Sequence, residues 1–309
     1  MGRKKRWRRV LGWTVGILGS IVVLLLFVVG PLLLSSVAVN RRFQFPDPLL
    51  GKTPSDFSVA YESVFISSTP GIILRGWYLP GKGKKLAVVY CHGLNRSRVE
   101  MLPQAAFMHG LGASGLLFDL RHHGQSTGDK STFGAAEKSD IAAAVQWIRK
   151  KEPHSRVILW GISMGAASAM LAAAEDPTVD AVICDSTFLS FRETVDHHFR
   201  LFFRLPTWPI ADEIAALIQW RGDFDGDAVD IVEANRKLGA RPVLFVAQSE
   251  DRRMPADYAR QLYRESAGRV KRLLILNGRR HGRAYRDHEQ EYQKAVIEFL
   301  EAAKLKLSY

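Results

Sequence analysis

Ser163 stands between two glycines in Gly161-Ile162-Ser163-Met164-Gly165, after an apolar run at 156–160 and before a run of small residues that opens at Met164. A G-x-S-x-G pattern between a strand and a helix is the signature of a nucleophile held on a sharp turn. Glycine at both flanks relieves the crowding where strand and helix come close. A serine hydroxyl is nearly inert at neutral pH. The turn therefore has chemistry only if a base takes its proton and a third group orients that base.

Nine histidines are available. Only His281 combines a loop position after the last apolar run, "RLLILN", with a helical pattern that returns to the domain. His122 and His123, in "FDLRHHGQSTG", are the alternative bases, although local hydrogen bonding in a turn accounts for them. His92, in "CHGL", fits a loop that presents backbone donors, His197 and His198 lie in a long insert, and His109, His154 and His288 fall on helix or loop surfaces. The orienting acid should end the preceding strand, where "PVLFVAQSEDRRMP" offers Glu250 and Asp251. Asp251 is preferred, because it lies four residues before Pro255, which opens the next helix. Charge developing on a substrate oxygen calls for two backbone N–H donors. Met164, next to the nucleophile, supplies one; Leu94, after Gly93, supplies the other. The order Ser163, Asp251, His281 is the order that the serine turn predicts on an α/β sheet. Such chemistry requires no metal and no organic cofactor.

These residues must be delivered by regular elements. Apolar, β-branched runs predict strands at 59–67, 72–79, 86–91, 114–120, 156–160, 180–185, 242–247 and 272–277. Helical patterns lie at 99–109, 137–151, 164–174, 255–266 and 287–304. "STPG" is too short for a parallel crossover, so the first two strands should form an antiparallel hairpin. The later strands alternate with helices, which predicts a mostly parallel eight-stranded sheet with helices on both faces and functional groups at the strands' carboxyl ends. Residues 187–240 separate two strands by far more chain than a crossover needs. Their aromatic, partly helical character predicts a cap over the strand ends.

The 309 residues are 47% apolar and 24% charged, enough for a full core, and carry a net charge of +12. Half of that excess is Arg3, Lys4, Lys5, Arg6, Arg8 and Arg9. Residues 10–39 then run without a charged side chain, which predicts a transmembrane helix. Ser36-Val37-Ala38 offers a signal-peptide cleavage site instead, but the apolar stretch is much longer than a signal needs. The cationic N-terminus favours a cytoplasmic start, with the catalytic domain at 55–309 on the far side of the membrane after a tether at 40–54. A basic run that abuts a span and interleaves only Trp7 argues against a nucleic-acid partner. Cys91 and Cys184 have no metal or redox spacing and read as buried small hydrophobes.

Five segments together resemble the α/β-hydrolase superfamily. His92-Gly93 resembles its HG oxyanion motif, Phe118 to Gly128 its D-x-R-x-x-G-x-S stretch, and "GISMG" its nucleophile elbow. "EDRRMP" and "RRHGRAY" resemble its acid and base loops. The likeness spans residues 55–305 and is greatest to the membrane-anchored or secreted bacterial branch, esterase-like or prolyl-oligopeptidase-like. It implies a serine hydrolase that acts on a small-molecule or lipid ester, or a peptidase or thioesterase with the same triad, or a silent fold used for binding. His122-His123 departs from the commoner Gly-His or Asn-His, and Asp251 is followed by Arg252-Arg253 rather than apolar residues. With Arg279, Arg280, Arg283 and Arg286, these arginines form a basic rim that is either simply solvated or attracts anionic substrates or headgroups.

Overall fold

The computed structural model describes residues 2–40, 47–83 and 85–305; positions 41–46 of the expected tether lie outside the described residues. Eight strands form one sheet: β1 (Glu62–Ser67), β2 (Ile73–Leu79), β3 (Leu86–Cys91), β4 (Ser114–Phe118), β5 (Arg156–Ile162), β6 (Ala181–Asp185), β7 (Val243–Gln248) and β8 (Lys271–Leu276). Their spatial order is β1-β2-β4-β3-β5-β6-β7-β8. β1 and β2 form the expected antiparallel hairpin, and β2 also runs antiparallel to β4. Every later pairing is parallel.

Helices α1 (Gly2–Leu24) and α2 (Gly30–Asn40) are joined by a π-turn at Leu25–Val29. The domain then adds α3 (Leu102–Gly110), α4 (Glu137–Lys151), α5 (Met164–Glu175), α6 (Phe191–Phe203), α7 (Ile210–Gly222), α8 (Ile231–Lys237), α9 (Ala256–Glu265), α10 (Ala284–Asp287) and α11 (Glu289–Ala302). The long insert between β6 and β7 is thus helical, containing α6, α7 and α8. Most boundaries shift by one to three residues from expectation, β1 starting at Glu62 rather than 59 and β4 ending at Phe118 rather than 120, and three shifts have a local cause. The helix expected from 99 starts as a 3-10 turn, Arg98–Met101, with Pro103 in the first turn of the α3 that follows. β5 continues through Gly161-Ile162, because its register with β6 extends to Ile162↔Asp185. The last helix is split at His288, whose backbone (φ −139°, ψ 50°) is non-helical.

Side-chain alternation on the central strands fills two cores. Val157 and Leu159 of β5 face one core with α4, α5 and α8, while Ile158, Trp160 and Ile162 face the other with α3 and α11. Trp160 stacks on Tyr292 with ring centroids 5.7 Å apart and donates its indole N–H to the Tyr292 hydroxyl at 3.3 Å. The small residues of "MGAASAMLAAA" are buried along α5, which lets that helix lie close to the sheet directly behind Ser163. Cys91 and Cys184 are both free and buried, and burial pushes both thiols up.

The N-terminal apolar stretch divides into two parts. Residues 10–28 are exposed all round, within a helix long and apolar enough to cross a bilayer by length and composition. Beyond them, Pro31, Ser35 and Val39 are buried on the α2 face that packs against α7. Arg221 Nε donates to Ser35 Oγ at 3.1 Å, and the Ser131 N–H donates to the Val39 carbonyl at 3.0 Å. The end of this helix is therefore seated on the domain.

Candidate active site

Parallel strands bring their carboxyl ends to one edge, and the loops that leave that edge carry the titratable groups. Ser163 caps α5 with φ 54° and ψ −119°, a sparsely populated conformation that costs on the order of 1–3 kcal/mol. Its N–H donates to the Asp185 carbonyl at 2.8 Å, which ties the turn to β6. A Cβ on Gly165 would collide with the Cys91 and His92 carbonyls, and one on Gly161 would collide with the Gly165 carbonyl. The two flanking glycines thus permit the close approach of β3, β5 and α5.

His281, in the loop after β8, faces Ser163. Its Nε2 lies 2.9 Å from Ser163 Oγ and its Nδ1 lies 2.7 Å from Asp251 Oδ2. Asp251, in the loop after β7, is 4% exposed, and its other oxygen accepts the N–H groups of Arg253 at 2.8 Å and Met254 at 3.1 Å. Burial alone would raise its carboxyl. The hydrogen bond from His281, the interaction with its ring, and the two N–H donors outweigh burial and hold it below its ordinary value. Ser163, His281 and Asp251, separated by 118 and 30 residues, therefore form one hydrogen-bonded line. Glu250 is exposed, and its N–H donates to the Gly278 carbonyl at 2.8 Å. Within their own turn, His123 Nδ1 lies 2.7 Å from the Arg121 carbonyl and His122 Nδ1 lies 3.4 Å from that of Gly128. His197 Nε2 lies 2.7 Å from the Arg252 carbonyl, so α6 touches the acid loop.

Leu94 lines the same small cavity as Ser163 and His281, whose volume is about 40 Å³. That space holds little more than water-sized groups, far below the roughly 300–1,000 Å³ of a pocket enclosing a drug-sized ligand. Met164 is the first residue of α5, and the first N–H groups of a helix have no intrahelical acceptor. His92 is fully buried. Burial and the neighbouring His123 push it down to about 3, so it is neutral. The Leu120 N–H donates to its Nε2 at 3.0 Å, which puts its proton on Nδ1, 2.9 Å from the Gly93 carbonyl. It braces the loop that carries Leu94.

A family model described as serine aminopeptidase, S33, matches residues 82–221. The chain is 30% identical over 245 residues to the uncharacterized protein MT2364 of Mycobacterium tuberculosis, covering 77% of this chain and 79% of that one. The chain belongs to the α/β-hydrolase superfamily. The hydrolase is also 29% identical over 239 residues to the uncharacterized protein YqkD of Bacillus subtilis, covering 76% of this chain and 78% of the relative. In fold it is similar to the Pyrococcus furiosus esterase Pf2001, with a TM-score of 0.69 at 24% identity, covering 84% of this chain and 98% of that one.

Four groups at the hydrolase's site escaped the sequence reading or were seen there only as rim. Glu100 and Arg96 line the cavity; the only signal was a charged pair beside the "CHGL" loop. Glu100 is pushed up to about 7 by burial, against the Gly93 N–H and Arg96. Asp185 ends the apolar run "AVICD", and burial pushes it too up to about 7. Of the six rim arginines only Arg253 lines the cavity. Arg280 pairs with Asp287 and Arg286 with Asp47, the latter at 3.1 Å. Among the described residues no cluster of His, Cys, Asp and Glu is suited to a metal ion.

Proposed function

We propose that the hydrolase is a membrane-tethered serine esterase working through an acyl-enzyme. The observation that carries this reading is the hydrogen-bonded line Ser163–His281–Asp251. Ser163 Oγ attacks the carbonyl carbon while His281 Nε2 takes its proton, and Asp251 holds the ring by Nδ1 and stabilises the imidazolium. The Met164 and Leu94 N–H groups receive the oxyanion. The tetrahedral intermediate collapses as His281 returns the proton to the leaving alcohol. Water, deprotonated by the same imidazole, then releases the acid and restores Ser163.

The cavity beside Ser163 admits the reacting carbonyl, so the acyl and alcohol groups extend over the open face near α6. Residues 10–28, at about 1.5 Å per residue, match a hydrocarbon core of about 30 Å. A tether of this kind holds the site close to lipid and favours lipid or acylated small-molecule esters. Arg253, at the cavity wall, favours an anionic group on the substrate. The family model's description as a serine aminopeptidase supports a second reading, amide cleavage by the same triad. A panel of 4-nitrophenyl esters, thioesters and aminoacyl anilides, assayed with the full chain and with Ser163→Ala, tests both. Ester turnover that is lost in Ser163→Ala is expected. Turnover confined to anilides would move the assignment to a peptidase, and turnover surviving in Ser163→Ala would remove the triad.

A further inference from the structure

Glu100 is a carboxylate 8% exposed in the 3-10 turn before α3, and the proposed mechanism gives it no role. Its Oε2 accepts the Gly93 N–H at 2.8 Å, and its Oε1 lies 3.3 Å from Arg96 Nε. The next peptide is fixed from the other side. The Gly93 carbonyl lies 2.9 Å from His92 Nδ1 and accepts the Arg96 N–H at 3.2 Å. Both peptide units that meet at the Gly93 Cα are therefore pinned, one through its N–H and one through its carbonyl. A trans peptide is planar with N–H opposite C=O, so fixing the Gly93 carbonyl fixes the direction of the Leu94 N–H. Gly93 has no side chain to limit its own backbone, and without these bonds the loop could turn that N–H away.

We propose that Glu100 is a positioning residue that, with His92, orients the Leu94 N–H toward the oxyanion by holding Gly93. The proposal rests on the serine-hydrolase reading and on Leu94 as one of its donors. Glu100 contacts the site on two sides. A Cβ placed on Gly93 would lie 3.4 Å from its Oε2, and one on Gly282, next to His281, would lie 3.9 Å from its Oε1. The carboxylate thus fills the gap between the oxyanion and base loops. Its accepting oxygen does the orienting, so the neutral acid and the anion both serve, and a carboxyl pushed up to about 7 by burial is compatible with the role.

Three full-length proteins in detergent test this: Glu100→Gln, which keeps an acceptor for the Gly93 N–H, Glu100→Met, which keeps the length without an acceptor, and Ser163→Ala. Rates of the wild type and the two Glu100 variants on one 4-nitrophenyl ester are normalised to sites titrated by a fluorophosphonate, so incompletely folded protein is not counted, and the Ser163→Ala rate is taken per mole of protein. Removing a preorganised oxyanion donor costs about 10²–10³ in kcat, and misdirecting one should cost about 10- to 100-fold. Glu100→Met is expected to lose about that much in kcat with KM within about threefold, and Glu100→Gln to stay within about threefold in both. Wild-type kcat in Glu100→Met, or an equal fall in both Glu100 variants, would overturn the proposal while leaving the triad intact. Activity retained in Ser163→Ala would instead defeat the underlying reading.

Discussion

Two aspartates lie at the same edge of the sheet, one ending β6 and one in the loop after β7, and their surroundings drive them in opposite directions. Asp185 is 0% and Asp251 4% exposed, so burial alone does not separate them. Asp251 has His281 on one oxygen and two backbone N–H groups on the other, and is held below its ordinary value. Asp185 receives the Ser186 hydroxyl on Oδ1 at 2.7 Å and a further lowering from the nearby Tyr292 hydroxyl, but no donor meets hydrogen-bond geometry at its buried Oδ2. Burial, with the charges of Asp251 and Glu100 added, pushes Asp185 up to about 7. Donors decide which buried carboxyl keeps its charge. The proposed mechanism needs one permanent anion behind the imidazole, and the loop after β7 supplies it. The end of β6 serves the site through its backbone instead, since the Asp185 carbonyl accepts the Ser163 N–H.

Exchanging each aspartate for asparagine should expose this difference. Asp251→Asn removes the charge that stabilises the imidazolium and is expected to lower kcat/KM about 10⁴-fold, with Asp185→Asn remaining within about tenfold. Equal losses would erase the distinction. The next effect is on stability. A carboxyl raised from 3.8 to about 7 binds a proton in the folded state that the unfolded chain has released between those values. The Asp185 contribution is thus fully present below about 3.8 and is lost as pH rises to about 7, on the order of 4 kcal/mol in all. Asp251 has the opposite sign: its contribution is present above the ordinary carboxyl range and is lost as acid protonates it. Denaturant midpoints in detergent at pH 4.5 and pH 8 should differ less in Asp185→Asn than in wild type. Some slope remains, because Glu100 is raised in the same way. An unchanged difference would contradict the assignment. The smallest effect is expected from Arg253→Met. It should raise KM for an anionic ester a few-fold at low salt, leave a neutral ester unchanged, and weaken the salt dependence seen in wild type. Equal salt dependence for both esters in wild type would remove substrate charge from the account.

The readable and unreadable parts of the chain divide along the same line. The strands, the hairpin and the loops bearing Ser163, Asp251 and His281 could be anticipated, because each depends on local periodicity or on a turn residue with a fixed requirement. Gly165, for example, has a space into which no Cβ fits. The roles of Asp185 and Glu100 were not legible, since they depend on which N–H groups converge on a carboxylate after folding. Nothing in "AVICD" or "SRVEML" distinguishes an anion from a buried neutral acid. The seating of α2 on α7 was hidden for another reason. An unbroken apolar run specifies burial without saying whether lipid or protein provides it, and Ser35 and Val39 turn out to meet α7 and the domain core.

The central claim is that Ser163 Oγ is made nucleophilic by His281. Mass spectrometry of the full-length protein after brief exposure to a fluorophosphonate tests it most directly. A single adduct on Ser163 is expected, at least about 10²-fold slower to form in His281→Ala and absent in Ser163→Ala. An adduct that forms as fast in Ser163→Ala, or at an unchanged rate in His281→Ala, would contradict it.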